Sequence, residues 1–157
     1  MSTLIVYASK HGSTKQIAEQ VARQLRQAGL SDVKCLDTKA AQSQLAGAKS
    51  VVLGAPVYGQ KWYTDAAVFV ELNRDELADK KLYVFTSGGS EHLEANIAAG
   101  VAEYNPVEHV YFRGKLAKSS LNLIERIMTY LAKAQYGDAR DWNKINTWAD
   151  ELARKVV

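Results

Sequence analysis

The sequence has one cysteine, two prolines and no apolar run of membrane-spanning length. A lone Cys35 cannot close an internal disulfide and has no Cys-x-x-Cys partner, so thiol redox chemistry and cysteine-based zinc sites are disfavoured. Any redox role therefore has to come from a cofactor. No Pro-, Gly- or Ser-rich stretch divides the chain and no internal repeat is present, so the 157 residues are expected to form a single domain, 1–157. Met1-Ser2-Thr3 runs into a short apolar segment without a basic leader, which predicts a cytoplasmic protein with no membrane span. Nor is there a block of like charge. The 20 Lys and Arg are scattered among 17 Asp and Glu, for a net charge of +3 and a pI near 8.9, which argues against a dedicated nucleic-acid binder. His11, His92 and His109 are too dispersed to suggest a metal site.

What is present is an alternation of strands and helices. Thr3-Leu4-Ile5-Val6-Tyr7-Ala8 is too apolar to have a solvent face and reads as a central parallel strand. Ser13-Thr14-Lys15-Gln16 offers a capping box, and Ile17, Val21 and Leu25 recur at helical spacing until Gly29. Asp32 to Leu36 predicts a short second strand and Ser50 to Gly54 a buried third. Thr64 with Asp65 caps a helix to about Asn73, and Lys81 to Thr86 supplies the fourth strand. Ile97 and Val101 mark the next helix, His109 to Phe112 a fifth strand, and Ile145, Trp148, Leu152 and Val156 the buried face of a closing helix on which Trp142 is also read as core. The fold class is α/β, a doubly wound five-stranded parallel sheet. Ser119 to Ala134 is an additional amphipathic helix. Its stripe of Leu121, Ile124, Met128 and Leu131, opposite Asn122, Glu125, Arg126 and Lys133, is expected to lie against the domain's own surface, with a dimer contact or a lipophilic substrate as the sharper readings.

Parallel sheets bind ligands beyond the carboxyl ends of their strands, so three loops matter. Ser9-Lys10-His11-Gly12-Ser13-Thr14 offers hydroxyls, backbone N–H groups and the positive end of a helix to one phosphate, with Gly12 permitting close approach; Ser13 as a mere cap and Gly12 as a mere turn is the competing reading. Ala55-Pro56-Val57-Tyr58-Gly59-Gln60-Lys61-Trp62-Tyr63 concentrates aromatics that suit a flat ring, Tyr58 and Trp62 above all, although each taken alone also suits packing. Thr86-Ser87-Gly88-Gly89-Ser90 brings small residues whose backbone can approach a heterocycle edge. Dinucleotide and Walker loops are disfavoured because Gly12 stands alone and is followed by Ser13-Thr14. A phospho-accepting receiver domain would require acidic residues where Ser9-Lys10 and Gly54-Ala55-Pro56 stand.

Three such loops after successive central strands resemble the flavodoxin family over nearly the whole chain. Tyr7 to Thr14, Gly54 to Gly59, Phe112-Arg113-Gly114-Lys115-Leu116 and Gly137 to Trp142 are most similar to the flavodoxin-domain group that includes menaquinone-dependent protoporphyrinogen oxidase. The resemblance implies strand order 2-1-3-4-5 and FMN as cofactor. Ser9, His11, Gly12, Ser13 and Thr14 would surround its phosphate, with Lys10 a basic departure from the uncharged loop of carrier flavodoxins; Pro56, Val57, Tyr58, Gly59 and Trp62 would flank the isoalloxazine, and Ser87, Gly88 and Gly89 would face its pyrimidine edge, with Thr86 a further cofactor-binding residue. No catalytic side chain is implied, because the cofactor carries the redox chemistry. The implied partners are a redox protein, a quinone or another small electron donor or acceptor, with peripheral membrane contact open. Three functions follow as alternatives: an FMN oxidoreductase, a quinone-linked protoporphyrinogen-oxidising enzyme, and a binding domain that has kept the fold without the flavin. The basic pI departs from acidic carrier flavodoxins and weighs against a simple shuttle.

Overall fold

The computed structural model describes residues 2–116, 122–131 and 137–157. Five parallel strands form the sheet: β1 (Thr3–Tyr7), β2 (Val33–Asp37), β3 (Ser50–Tyr58), β5 (Lys81–Gly88) and β6 (Glu108–Arg113), in the order β2-β1-β3-β5-β6. Counted without the two-residue β4 (Lys61–Trp62), which folds back antiparallel on the end of β3, this is the expected order. The chain steps outward from β1 to β2 and returns across β1 to β3, so the reversal of strand order falls between β1 and β3.

The uninterrupted apolarity of the central strands has a direct cause: each is buried on both faces. Ile5, Val52, Tyr83 and Phe85 point to one side, where they meet Ile17, Val21 and Leu25 of α1 (Ser13–Gln27) and Ile145, Trp148 and Leu152 of α7 (Trp142–Lys155). Their neighbours Leu4, Val6, Val51, Leu53, Leu82 and Val84 point to the other. That second layer is covered by α2 (Thr38–Ala41) and the 3-10 turn Gln42–Gly47, α3 (Thr64–Leu72), α4 (Arg74–Ala78) and α5 (Ala95–Ala102). At roughly 1.5–3 kcal/mol for each fully buried aliphatic or aromatic side chain, these two layers are the main source of stability. One close approach is built in: Gly54 on β3 pairs with Phe85 on β5, whose ring lies where a Gly54 side chain would be.

Several local expectations are corrected. The Ser13–Gln16 capping box does not form; Gly12, at φ +88°, precedes α1, and no side chain caps the helix. Tyr63, not Thr64, precedes α3, again without a side-chain cap. Asp141 does cap α7, its carboxylate accepting from the Lys144 N–H. Trp148 is core, but Trp142 is 37% exposed, with the Arg140 guanidinium 4.7 Å from its ring centre.

The additional helix is α6 (Leu123–Leu131); the expected residues 119–121 and 132–134, among them Leu121 and Lys133, lie outside the described residues. Its orientation is the reverse of the expected one. Ile124, Met128 and Leu131 are exposed, and its buried side chain is Glu125. A two-strand clasp, β7 (Lys115–Leu116) against β8 (Gly137–Asp138), joins the chain on either side of it. Among the described residues no helix is long and apolar enough to cross a membrane.

Candidate functional site

A cleft of about 300 Å³ opens at the carboxyl ends of β1, β3 and β5, where the strand order reverses. Its walls come from distant parts of the chain. The first loop contributes Ser9, Lys10, His11, Ser13 and Thr14, the second Pro56 and Tyr58, the third Ser87, Gly88 and Gly89. Arg113, Gly114 and Lys115 at the end of β6, with Gly137, Asp138 and Ala139 at β8, complete it.

The first loop is shaped by its own short hydrogen bonds. Ser9 Oγ accepts from the Gly12 N–H at 3.0 Å, which closes the turn and accommodates the positive φ at Gly12. Thr14 Oγ1 and Ser87 Oγ are 2.9 Å apart in a buried contact that ties the first loop to the third. Ser13 Oγ is engaged too, accepting from the Lys115 N–H at 3.0 Å, and the Gly114 N–H donates to the Gly88 carbonyl at 2.8 Å. The start of α1 thus opens on the cleft with its side-chain cap missing. Uncapped first-turn N–H groups at the positive end of a helix dipole favour an anion, and a glycine in front of them lets it come close. Lys10, Arg113 and Lys115 add positive charge to the rim.

Of the other expected residues, Gly12 shapes the loop behind the wall, whereas Val57, Gly59, Trp62 and Thr86 are not among the lining residues. Trp62 turns away to stack at 5.9 Å on Tyr104 and donates its Nε1–H to Thr86 Oγ1 at 3.2 Å. Thr86 Oγ1 in turn lies 2.7 Å from His109 Nε2. Burial pushes His109 below the usual histidine range. Burial likewise pushes the Tyr111 phenol up to about 12 and the Cys35 thiol up to about 11, so neither ionises near neutrality.

Glu125, which sequence reasoning placed on the polar face of the additional helix, meets three residues of the cleft wall. Its Oε2 lies 2.7 Å from the Tyr58 hydroxyl, 2.8 Å from His11 Nε2 and 3.4 Å from Lys10 Nζ. The Tyr58 hydroxyl, then the Asn122 N–H and His11, hold the carboxyl well below the ordinary range, at about 2, against the opposing effect of burial. Asn122 Oδ1 accepts from the Glu125 N–H at 2.8 Å while Glu125 Oε1 accepts from the Asn122 N–H at 3.4 Å. This reciprocal pair is a capping box, and Asn122-Leu123-Ile124-Glu125 carries its signature in the sequence. Asp138, on the far rim, is held at about 2 chiefly by its paired hydrogen bonds from Arg140. Among the described residues no three His, Cys, Asp or Glu side chains come together as a metal site.

The profile of the family described as "Flavodoxin domain" matches residues 4–142. No curated protein matches in sequence. Among solved structures, the chain is similar to the rubredoxin oxygen:oxidoreductase of Desulfovibrio gigas, with a TM-score of 0.68 and 18% identity over 99% of this chain and 36% of that one. It thus spans about a third of that protein. It is also similar to a flavodoxin from the domain Archaea, with a TM-score of 0.63 and 18% identity over 99% of both chains. The Streptococcus pneumonia TIGR4 flavodoxin gives a TM-score of 0.63 and 23% identity over 99% of this chain and all of that one.

Proposed function

The chain belongs to the flavodoxin domain family, whose cofactor is FMN, and from that premise we propose that it is an FMN-dependent oxidoreductase rather than an acidic electron shuttle. The carrying observation is the uncapped start of α1, opening on the cleft behind a left-handed glycine. A mononucleotide phosphate suits that end of the cleft: the first-turn N–H groups and the hydroxyls of Ser9, Ser13 and Thr14 are the donors an oxyanion needs. Pro56 and Tyr58 offer an apolar and aromatic wall to a flat ring, and the backbone of Ser87 to Gly89 lies within reach of its polar edge. Bound FMN supplies one- and two-electron chemistry. The protein's part is to hold it and to surround it with the positive charge of Lys10, Arg113 and Lys115, which favours negative charge in the cleft. The net charge of +3 supports a small-molecule or quinone partner over docking on a basic redox protein.

Titration of the apoprotein with FMN and with riboflavin tests this reading. FMN should bind at least about tenfold more tightly, since charge-assisted hydrogen bonds to phosphate are worth roughly 1.5–3 kcal/mol. Equal affinities, or no binding of FMN, would overturn it.

A second reading, a quinone-linked enzyme of the protoporphyrinogen oxidase type, is favoured by the exposed apolar side chains of α6 beside the cleft, which suit a lipophilic substrate. Oxidation of reduced porphyrin by the FMN-loaded protein with a menaquinone analogue separates it from the first.

A further inference from the structure

An amphipathic surface helix ordinarily buries its apolar stripe, and α6 does the opposite. Leu123, Ile124, Ile127, Met128, Tyr130 and Leu131 are all more than half exposed, while Glu125 is only 7% exposed. A polar contact therefore seats this helix. It is a small receptor in which an imidazole, a phenol and an ammonium converge on one carboxylate oxygen, at 2.8, 2.7 and 3.4 Å. The three donors belong to two loops that wall the cleft; the carboxylate is brought in from an element outside the five-strand unit.

We propose that Lys10, His11 and Tyr58 form a carboxylate-binding site that Glu125 fills from within the chain, and that an aromatic or otherwise largely apolar carboxylic acid takes Glu125's place. The donor set suits a single negative charge on a planar group. Lys10 Nζ is 3.1 Å from the Tyr58 hydroxyl and 4.1 Å from its ring centre, so the slot is narrow and has an aromatic side. A phosphate dianion is better served by the start of α1, a few residues further on. Glu125 is tethered, and a tethered group competes at an effective concentration in the millimolar range. A bare carboxylate cannot win against that; a ligand that also gains apolar contact beside the slot can. The inference rests on the flavin reading for what lies beside the slot, not for the slot itself.

Calorimetry on the full chain tests it, with benzoate as probe and acetate as control, before and after saturation with FMN. Glu125→Gln removes the rival charge while keeping an acceptor for the Asn122 cap. Benzoate should bind E125Q at least about tenfold more tightly than wild type, acetate should show no such gain, and adding Tyr58→Phe to E125Q should remove it. Glu125→Ala is the parallel variant and should show the same gain. Equal benzoate affinity in wild type and E125Q, an equal gain with acetate, or a gain that survives Y58F would overturn the proposal. So would loss of benzoate binding on FMN saturation, which would assign the slot to the cofactor. Failure of FMN to bind would sink the flavin reading alone, because the benzoate titration is read without it.

Discussion

Replacing Gly54 with alanine adds one methyl group at the centre of the molecule, and the geometry says how it will be received. A side-chain carbon there lies 2.0 Å from Phe85 Cζ and 2.5 and 2.6 Å from its two Cε atoms. Phe85 is fully buried, and its ring is 6.1 Å from both Phe112 and Trp148, so it has no free space into which to swing. Overpacking a dense core costs typically 1–3 kcal/mol, and with three ring atoms in collision the upper end, about 3 kcal/mol, applies. For a chain of this size that lowers the melting temperature by roughly 6–12 °C. Scanning calorimetry or circular dichroism of the apoprotein measures it, with ligand excluded so that binding does not shift the midpoint. The mechanism is specific to the ring, so Gly54→Ala placed on a Phe85→Leu background should cost far less, giving a coupling energy above about 1 kcal/mol. A loss below about 1 kcal/mol in the wild-type background, or equal losses in both, would refute the argument.

Gly12→Ala acts by a different route. Nothing lies within 4 Å of the added carbon, so the cost comes from holding alanine at φ +88°, about 1–2 kcal/mol by thermal unfolding, together with a weaker FMN titration; an unchanged midpoint would contradict the backbone assignment. The seating of α6 is expected to depend on acid. The Glu125 carboxyl is lowered from 4.5 to about 2 in the folded protein, so its contribution is complete above pH 4.5 and is lost progressively as pH falls from there toward 2. Methyl resonances of Ile124 and Ile127 should shift over that window in the wild type and stay flat in E125Q.

Periodicity and burial made most of the sheet legible. Leu4-Ile5-Val6 and Leu82-Tyr83-Val84-Phe85 are apolar at every position because alternate residues serve opposite layers, and such unbroken apolar runs are the mark of parallel strands covered on both sides. Boundaries moved by a residue where propensity alone set them, as at Val33–Asp37. Local capping logic failed where a distant group competed for the same atom. Ser13 Oγ serves Lys115 N–H rather than the turn of its own helix. The aromatic loop was recognisable as a cluster, but composition cannot say which ring faces the cleft; Thr86 and Tyr104 draw Trp62 away and leave Tyr58 on the wall. For α6, hydrophobic spacing defined the stripe without defining which side meets the protein. The deciding feature was one acidic residue and the three donors waiting for it.

The way the cleft is closed bears on when it comes into being. Its floor needs Thr14 against Ser87, and its far wall needs Gly114 on Gly88 and Lys115 on Ser13, contacts that span from 26 to 102 positions along the chain. A half-formed sheet has no such pocket to offer. A ligand that binds the folded chain and not the unfolded one deepens the native well as a whole rather than any one loop.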